Sequence, residues 1–260
     1  MHIDVATFFT LFPAAIGIGI LSSLLGLGGG VFMVPLLLLG GFLPTQPEAA
    51  GTSVAAVVFT GLSASIAYFR RKAIDFRTSL LFMPSAIAGV FLGTTIVNLV
   101  DPSWLMIAFS VFLLYPAATM LAGRTSKDVT TRSEQLSGGV RFYVLVLVIG
   151  LVAGTATKLF GIGGGTVFVP SLVLFLGLDM VSAVAVSLFV MIPTAAISAV
   201  TSFTQGTLNP ELALPLILGI VIGAQIGPHL GHRIPVKRLR QLFGLILIYA
   251  AVNMFLKAIG

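Results

Sequence analysis

From Val5 to Pro47 the chain carries no ionisable side chain, and no single structural element accounts for a run of that length. About 20 apolar residues cross the hydrocarbon core of a bilayer, so the stretch is too long for one crossing. Residues 142–178 pose the same problem with a single charge, Lys158. Composition extends the constraint to the whole molecule. Of its 260 residues, 57% are hydrophobic and 8% charged, whereas a soluble domain carries about a quarter charged, and the mean hydropathy is +1.12. A soluble enzyme, a nucleic-acid-binding domain and a disordered chain are thereby excluded. What remains is an all-α, polytopic integral membrane protein with the lipid bilayer as its surroundings, since helices satisfy their own backbone groups in lipid. There is no Cys, so disulfides and thiol catalysis are absent. Three His residues make a poor metal set, and neither a cofactor nor a catalytic constellation is expected. The first twenty residues lack a basic stretch, so no cleavable signal peptide is expected.

Further spans lie between charges at 49–69, 78–100, 102–123, 180–204, 212–232 and 241–256. Arg70, Arg71, Lys72 and Arg77 form one basic group. Arg124, Lys127, Arg132 and Arg141 form a second; Arg233, Lys237, Arg238 and Arg240 form a third. Together they hold 12 of the 14 Lys and Arg, and the alternate loops hold Asp4, Glu48, Asp101 and Glu211 instead. The positive-inside rule places the basic loops in the cytoplasm. Span 49–69 then runs inward and span 180–204 outward, so each long run goes in and comes back as two arms, the first from outside and the second from inside. Both termini are expected outside, in a multi-pass protein of the cell (inner) membrane.

The two halves resemble each other. GLGGGVFMVPLLL at 26–38 matches GIGGGTVFVPSLV at 161–173 without a gap, at an offset of 135. The match extends back from Gly19 to Gly154 and forward to Thr52–Ser53 against Ser187–Leu188. After a one-residue slip, Gly89 and Gly93 fall on Gly223 and Gly227, small-residue pairs that allow close helix approach. The expected organisation is a first repeat over 1–123, a cytoplasmic basic loop over 124–140 and an inverted second repeat over 141–260. Each repeat is a glycine-broken, two-armed helical hairpin followed by three transmembrane helices. Inverted repeats built on broken helices are the architecture of many secondary transporters.

Three successive glycines break a helix, and the freed backbone is tolerated in a membrane only when buried in protein or lining a cavity. A second arm restarting at Val31 or Thr166 has unpaired N–H groups and a positive dipole end. Gly28, Gly29 and Gly30, with Gly163, Gly164 and Gly165, would let an oxyanion reach those groups directly. The alternative is that the glycines serve tight packing. Lys158, three residues before GIGGG, is the one ionisable group inside a span. It is either a substrate contact or gate, or a snorkelling side chain, since it lies about 25 Å of helix beyond Arg141. Its counterpart in the first half is Ser23. Thr52, Ser53 and Ser187 are candidate hydroxyl donors that also have their own backbone to bond. Gln225, His229 and His232 approach a cytoplasmic helix end, where His either couples protons or is simply solvated.

With the paired GLGGGVFMVPLLL and GIGGGTVFVPSLV, and GTS at 51–53, the chain resembles the TauE/SafE sulfite exporter family (toluene-sulfonate uptake permease family) from about Ala6 to Leu256. The resemblance implies transport, not catalysis, of a small anionic sulfur compound such as sulfite, sulfoacetate or another organosulfonate, and implies export as the direction. The expected mechanism is alternating access around the two glycine breaks, driven by the electrochemical gradient with protons as a candidate coupling ion. A passive anion channel of the same architecture is the competing reading, and a membrane-bound assembly subunit the third. The oligomeric state, monomer or homodimer, is left open.

Overall fold

A computed structural model describes residues 5–122, 140–230 and 236–259. The basic residues Arg124, Lys127, Arg132 and Arg233, and His232, fall outside the described residues. The described chain forms ten helices: α1 (Val5–Leu25), α2 (Gly30–Leu39), α3 (Gln46–Arg70), α4 (Phe76–Leu99), α5 (Pro102–Ala122), α6 (Val140–Phe160), α7 (Gly165–Leu176), α8 (Met180–Thr204), α9 (Pro210–Leu230) and α10 (Val236–Ile259). Seven of them are long and apolar enough to cross a membrane. Large apolar side chains such as Phe9, Leu80, Leu99, Trp104, Val200 and Phe203 are exposed, a surface that suits lipid and not water.

Each long uncharged run divides at its glycines. α1 ends at Leu25, and Gly26, Gly28 and Gly29 all have positive φ (70°, 76° and 94°), a region that L side chains avoid. α2 restarts at Gly30, and α7 at Gly165, one residue ahead of the expected Val31 and Thr166. The two arms are unequal. α1 and α6 have 21 residues each and are long enough to cross alone, whereas α2 and α7 have 10 and 12.

Helix pairing follows the glycines. On α9, Gly219, Gly223 and Gly227 lie against Phe12, Ile16 and Ile20 of α1, so these helices run parallel. In the other half of the molecule Gly89 and Gly93 of α4 lie against Leu151 and Thr155 of α6, also parallel. α3 and α8 are the spans most enclosed by the rest. They run antiparallel, with Gly51 beside Ser202 and Gly61 beside Leu188 and Ile192. α5 packs on α10. Exchanging the halves turns the α1–α9 pair into α6–α4 and leaves α3–α8 and α5–α10 unchanged, a pattern compatible with inverted repeats.

The register of the repeat differs from the sequence match in one respect. Ser53 bonds the carbonyl of Gly161 and Ser187 that of Gly26. These are equivalent bonds, so Ser53 corresponds to Ser187, not to Leu188. The slip therefore falls before α3, in the connection from α2, where the helix lengths already differ.

The same offset relates two helix starts. Asp75 caps α4, accepting from the N–H groups of Arg77 (3.0 Å) and Thr78 (3.2 Å) and from the Thr78 hydroxyl (2.6 Å). Asn209 caps α9 through Glu211 and Leu212 N–H. The Thr78 hydroxyl, against partial burial and helped by the backbone N–H groups, holds the Asp75 carboxyl below its ordinary range. A depressed folded-state value stabilises the fold above the unfolded pKa and is lost as pH falls through the folded one. Asp75→Ala is expected to cost about 1 kcal/mol in the thermal unfolding of detergent-solubilised protein, and the difference from wild type should vanish in acid.

Candidate functional site: two glycine tips at the centre

The two glycine breaks meet between α3 and α8. A Cβ added at Gly30 would overlap the carbonyl oxygen of Gly161, and one at Gly165 would overlap that of Gly26. At Gly28 it would strike the Met191 methyl and lie 2.9 Å from the Ile162 carbonyl oxygen; at Gly163 it would meet Val57 and, at 2.7 Å, Met191. Gly164 faces its own preceding helix instead, and Gly29 faces both its preceding helix and Ile220 of α9. A Cβ at Gly29 would lie 3.1 Å from Ser22 Oγ, and one at Gly164 would lie 2.9 Å from Thr157 Oγ1. Tight packing therefore accounts for the missing side chains.

Packing does not account for the donors. The first intrahelical bonds of α2 come from Phe32 and Met33 to the Gly29 carbonyl (3.0 Å each), and those of α7 from Val167 and Phe168 to the Gly164 carbonyl (3.0 and 2.9 Å). Neither N-cap glycine supplies a capping side chain. The N–H groups of Gly30, Val31, Gly165 and Thr166 are thus left without a partner among the described residues, and all four residues are buried. The Thr166 hydroxyl is also buried and unpartnered. Each helix dipole places about half a positive charge at the buried start of α2 or α7, where the low dielectric magnifies its field.

The candidate hydroxyls take different roles. Ser53 Oγ bonds the Gly161 carbonyl at 3.0 Å and Ser187 Oγ that of Gly26 at 3.2 Å, so each serine fastens the opposite repeat's tip to a central helix. Thr52 Oγ1 accepts the Asn209 N–H at 3.0 Å and fixes the α8–α9 connection. Lys158 is 4% exposed. Its ammonium leaves the tips for the C-terminal end of α8, donating to Ser202 Oγ and Gln205 Oε1 at 2.8 Å each. Gln225 donates to the Ser63 carbonyl, and the exposed His229 ring bonds the Gln225 carbonyl.

Sequence reasoning missed Thr166, Val57 and Met191 at the tips, and Ser198 and Ser202 on α8. The signal for the α8 pair was available as hydroxyls four residues apart within span 180–204. For Val57 and Met191 there was none, because apolar residues in an apolar span carry no mark.

Gly30→Ala or Gly165→Ala is expected to cost at least about 1–3 kcal/mol, because the overlap is with opposing backbone and cannot relax by rotamer change. Gly17 provides the control: its Cβ would meet nothing within 4 Å, so Gly17→Ala should be neutral or stabilise by up to about 1 kcal/mol. Thermal unfolding of the three variants checks this.

The sulfite exporter TauE/SafE family model matches residues 11–254. A probable membrane transporter protein of Bacillus subtilis is 26% identical, over 93% of this chain and 94% of its own length. Similar proteins carrying the same description occur in Xylella fastidiosa (28% identical, 90% of each chain) and Methanocaldococcus jannaschii (28% identical, 88% of each). No solved structure matches. With its paired glycine tips, its apolar helices and a family match from near one end to the other, the chain belongs to the sulfite exporter TauE/SafE family of membrane transporters.

Proposed function

We propose that the protein is a secondary transporter that exports a small sulfur-containing anion, such as sulfite, sulfoacetate or another organosulfonate, by alternating access around the two glycine tips. The observation that carries this reading is the pair of buried, uncapped helix N-termini brought tip to tip. Gly28, Gly29 and Gly30 with Gly163, Gly164 and Gly165 supply the approach to bare N–H groups, and Thr166 adds a hydroxyl that has no partner among the described residues. Ser53 and Ser187 hold the tips in register and become anion donors when the tips part. Repeats over 1–123 and 141–260, inverted in the membrane with both termini outside, place one tip's approach on each side. The direct Gly30–Gly161 and Gly165–Gly26 contacts favour a transporter over a passive channel, because a channel needs a continuous path and these contacts close the centre. Export is expected to couple to the electrochemical gradient, with protons as the candidate coupling ion.

Stabilisation of the solubilised protein by sulfite, thiosulfate, sulfoacetate, other sulfonates, sulfate and carboxylates at constant ionic strength tests the reading. A true substrate at 100 times its dissociation constant should add about 2.7 kcal/mol, and a flat panel on folded protein would sink the anion site. Thr166→Val should weaken that binding roughly tenfold or more, since a hydrogen bond to a charged group is worth about 1.5–3 kcal/mol. It should not destabilise the unliganded protein, where the hydroxyl is unpartnered. Inversion has its own check. Pro44→Cys and Leu178→Cys, in the equivalent loops before α3 and α8, should react with an impermeant thiol reagent from opposite sides of the membrane. Labelling from one side only would overturn the topology.

A further inference from the structure

The tips are not the only polar feature buried along α8. Met191 touches both tips, and Thr194, Ser198 and Ser202 follow it on the same helix face at spacings of three, four and four. These hydroxyls are 0%, 1% and 2% exposed. Thr194 bonds the carbonyls of its own helix and Ser202 accepts from Lys158, but Ser198 Oγ has no partner among the described residues. The line therefore runs about 16 Å from the tip contact at Met191 to Ser202, where it meets a buried ammonium. Lys158 has only neutral acceptors, Ser202 and Gln205, and no carboxylate accompanies it among the described residues. Gln205 in turn donates to Asn98 at the exposed end of the cluster, so the lysine sits one side chain in from the surface.

The equivalent face of α3 lacks these features. There the positions are Thr60, Ala64 and Tyr68, and Ser23 stands in place of Lys158 with its carbonyl bonded by the Tyr68 hydroxyl. α3 does carry a buried, unpartnered hydroxyl at Ser65, beside Ala64, but among the described residues no buried cation accompanies it. A buried ammonium facing neutral acceptors leaves part of its charge unanswered, and an anion is the partner that answers it.

We propose that Lys158, Ser202 and Ser198 form a second anion station, separate from the glycine tips, between the tips and the α8–α9 end of the molecule. The station takes a small oxyanion such as a sulfonate: the Lys158 ammonium neutralises its charge and the Ser198 and Ser202 hydroxyls donate to its oxygens. It gives the transported anion a resting point on one side only, the side that the loop charges assign to the exterior. The station rests on the reading of the protein as an anion transporter.

The chain has no Cys, so Ser198→Cys introduces one thiol, probed from outside intact cells with 2-sulfonatoethyl methanethiosulfonate and its trimethylammonium analogue. After each rate is normalised to that with a free thiol, the sulfonate reagent should react at least tenfold faster than the cationic one. Adding Lys158→Gln should bring the ratio to near one, and adding Lys158→Arg should preserve it. Methanesulfonate should slow the sulfonate reagent in the chain that retains Lys158, a readout that does not depend on how well the Lys158 variants fold. Ala64→Cys, the equivalent position on α3, should show no charge preference. No reaction at Ser198→Cys, no preference for the anionic reagent, or a preference unchanged by a folded Lys158→Gln variant would overturn the station; a lysine that merely caps α8 gives the last of these. Failure of the transport reading appears separately, as absent flux and a flat stabilisation panel in wild type with charge-selective labelling intact.

Discussion

Backbone resting on backbone, where Gly30 meets Gly161 and Gly165 meets Gly26, is the contact on which the rest of the molecule depends. A helix broken inside a membrane exposes polar groups that lipid cannot satisfy, so a break is tolerable only where protein encloses it. Here each break encloses the other. Their carbonyls are taken by Ser53 and Ser187 from the two central helices, and their flanks are filled by Val57 and Met191. Among the described residues the N–H groups of Gly30, Val31, Gly165 and Thr166 and the Thr166 hydroxyl remain without a partner, with helix dipoles behind them.

The outer helices serve this centre. α1 must deliver the first tip, and α6 the second, and each is held along its length by a parallel partner at glycine-to-backbone distance, α9 and α4 respectively. In lipid, close packing of small residues substitutes for the hydrophobic effect that drives helices together in water. A tip is therefore positioned by a helix from the other half of the chain.

The symmetry is incomplete where chemistry enters. Equivalent positions carry Lys158 and Ser23, Ser202 and Tyr68, Ser198 and Ala64, Thr166 and Val31. The scaffold residues, by contrast, match: glycines at the tips, serines on their carbonyls, Asp75 and Asn209 as helix caps. The halves share a construction and differ in the groups available to a ligand, so the two approaches to the centre are not equivalent.

Much of this was legible in the sequence. The absence of charge between Val5 and Pro47, with GLGGG within it, required a broken helix in a membrane, and the copy at 161–165 required a second one. Alternating basic loops gave the span order, and the offset of 135 related the halves. These features are local or periodic, and composition alone enforces them because lipid admits so few backbone arrangements. Only the tertiary structure decided where side chains went. It turned Lys158 from the glycines to Ser202 and Gln205, gave Thr52 to Asn209, moved the repeat slip ahead of Ser53, and set unmarked Val57 and Met191 against the tips. Those outcomes depend on which helices become neighbours and at what rotation, and a uniformly apolar sequence carries almost no signal for either. Lipid and protein interior ask the same residues of a helix face, so the face that packs is settled by shape, one glycine against one carbonyl.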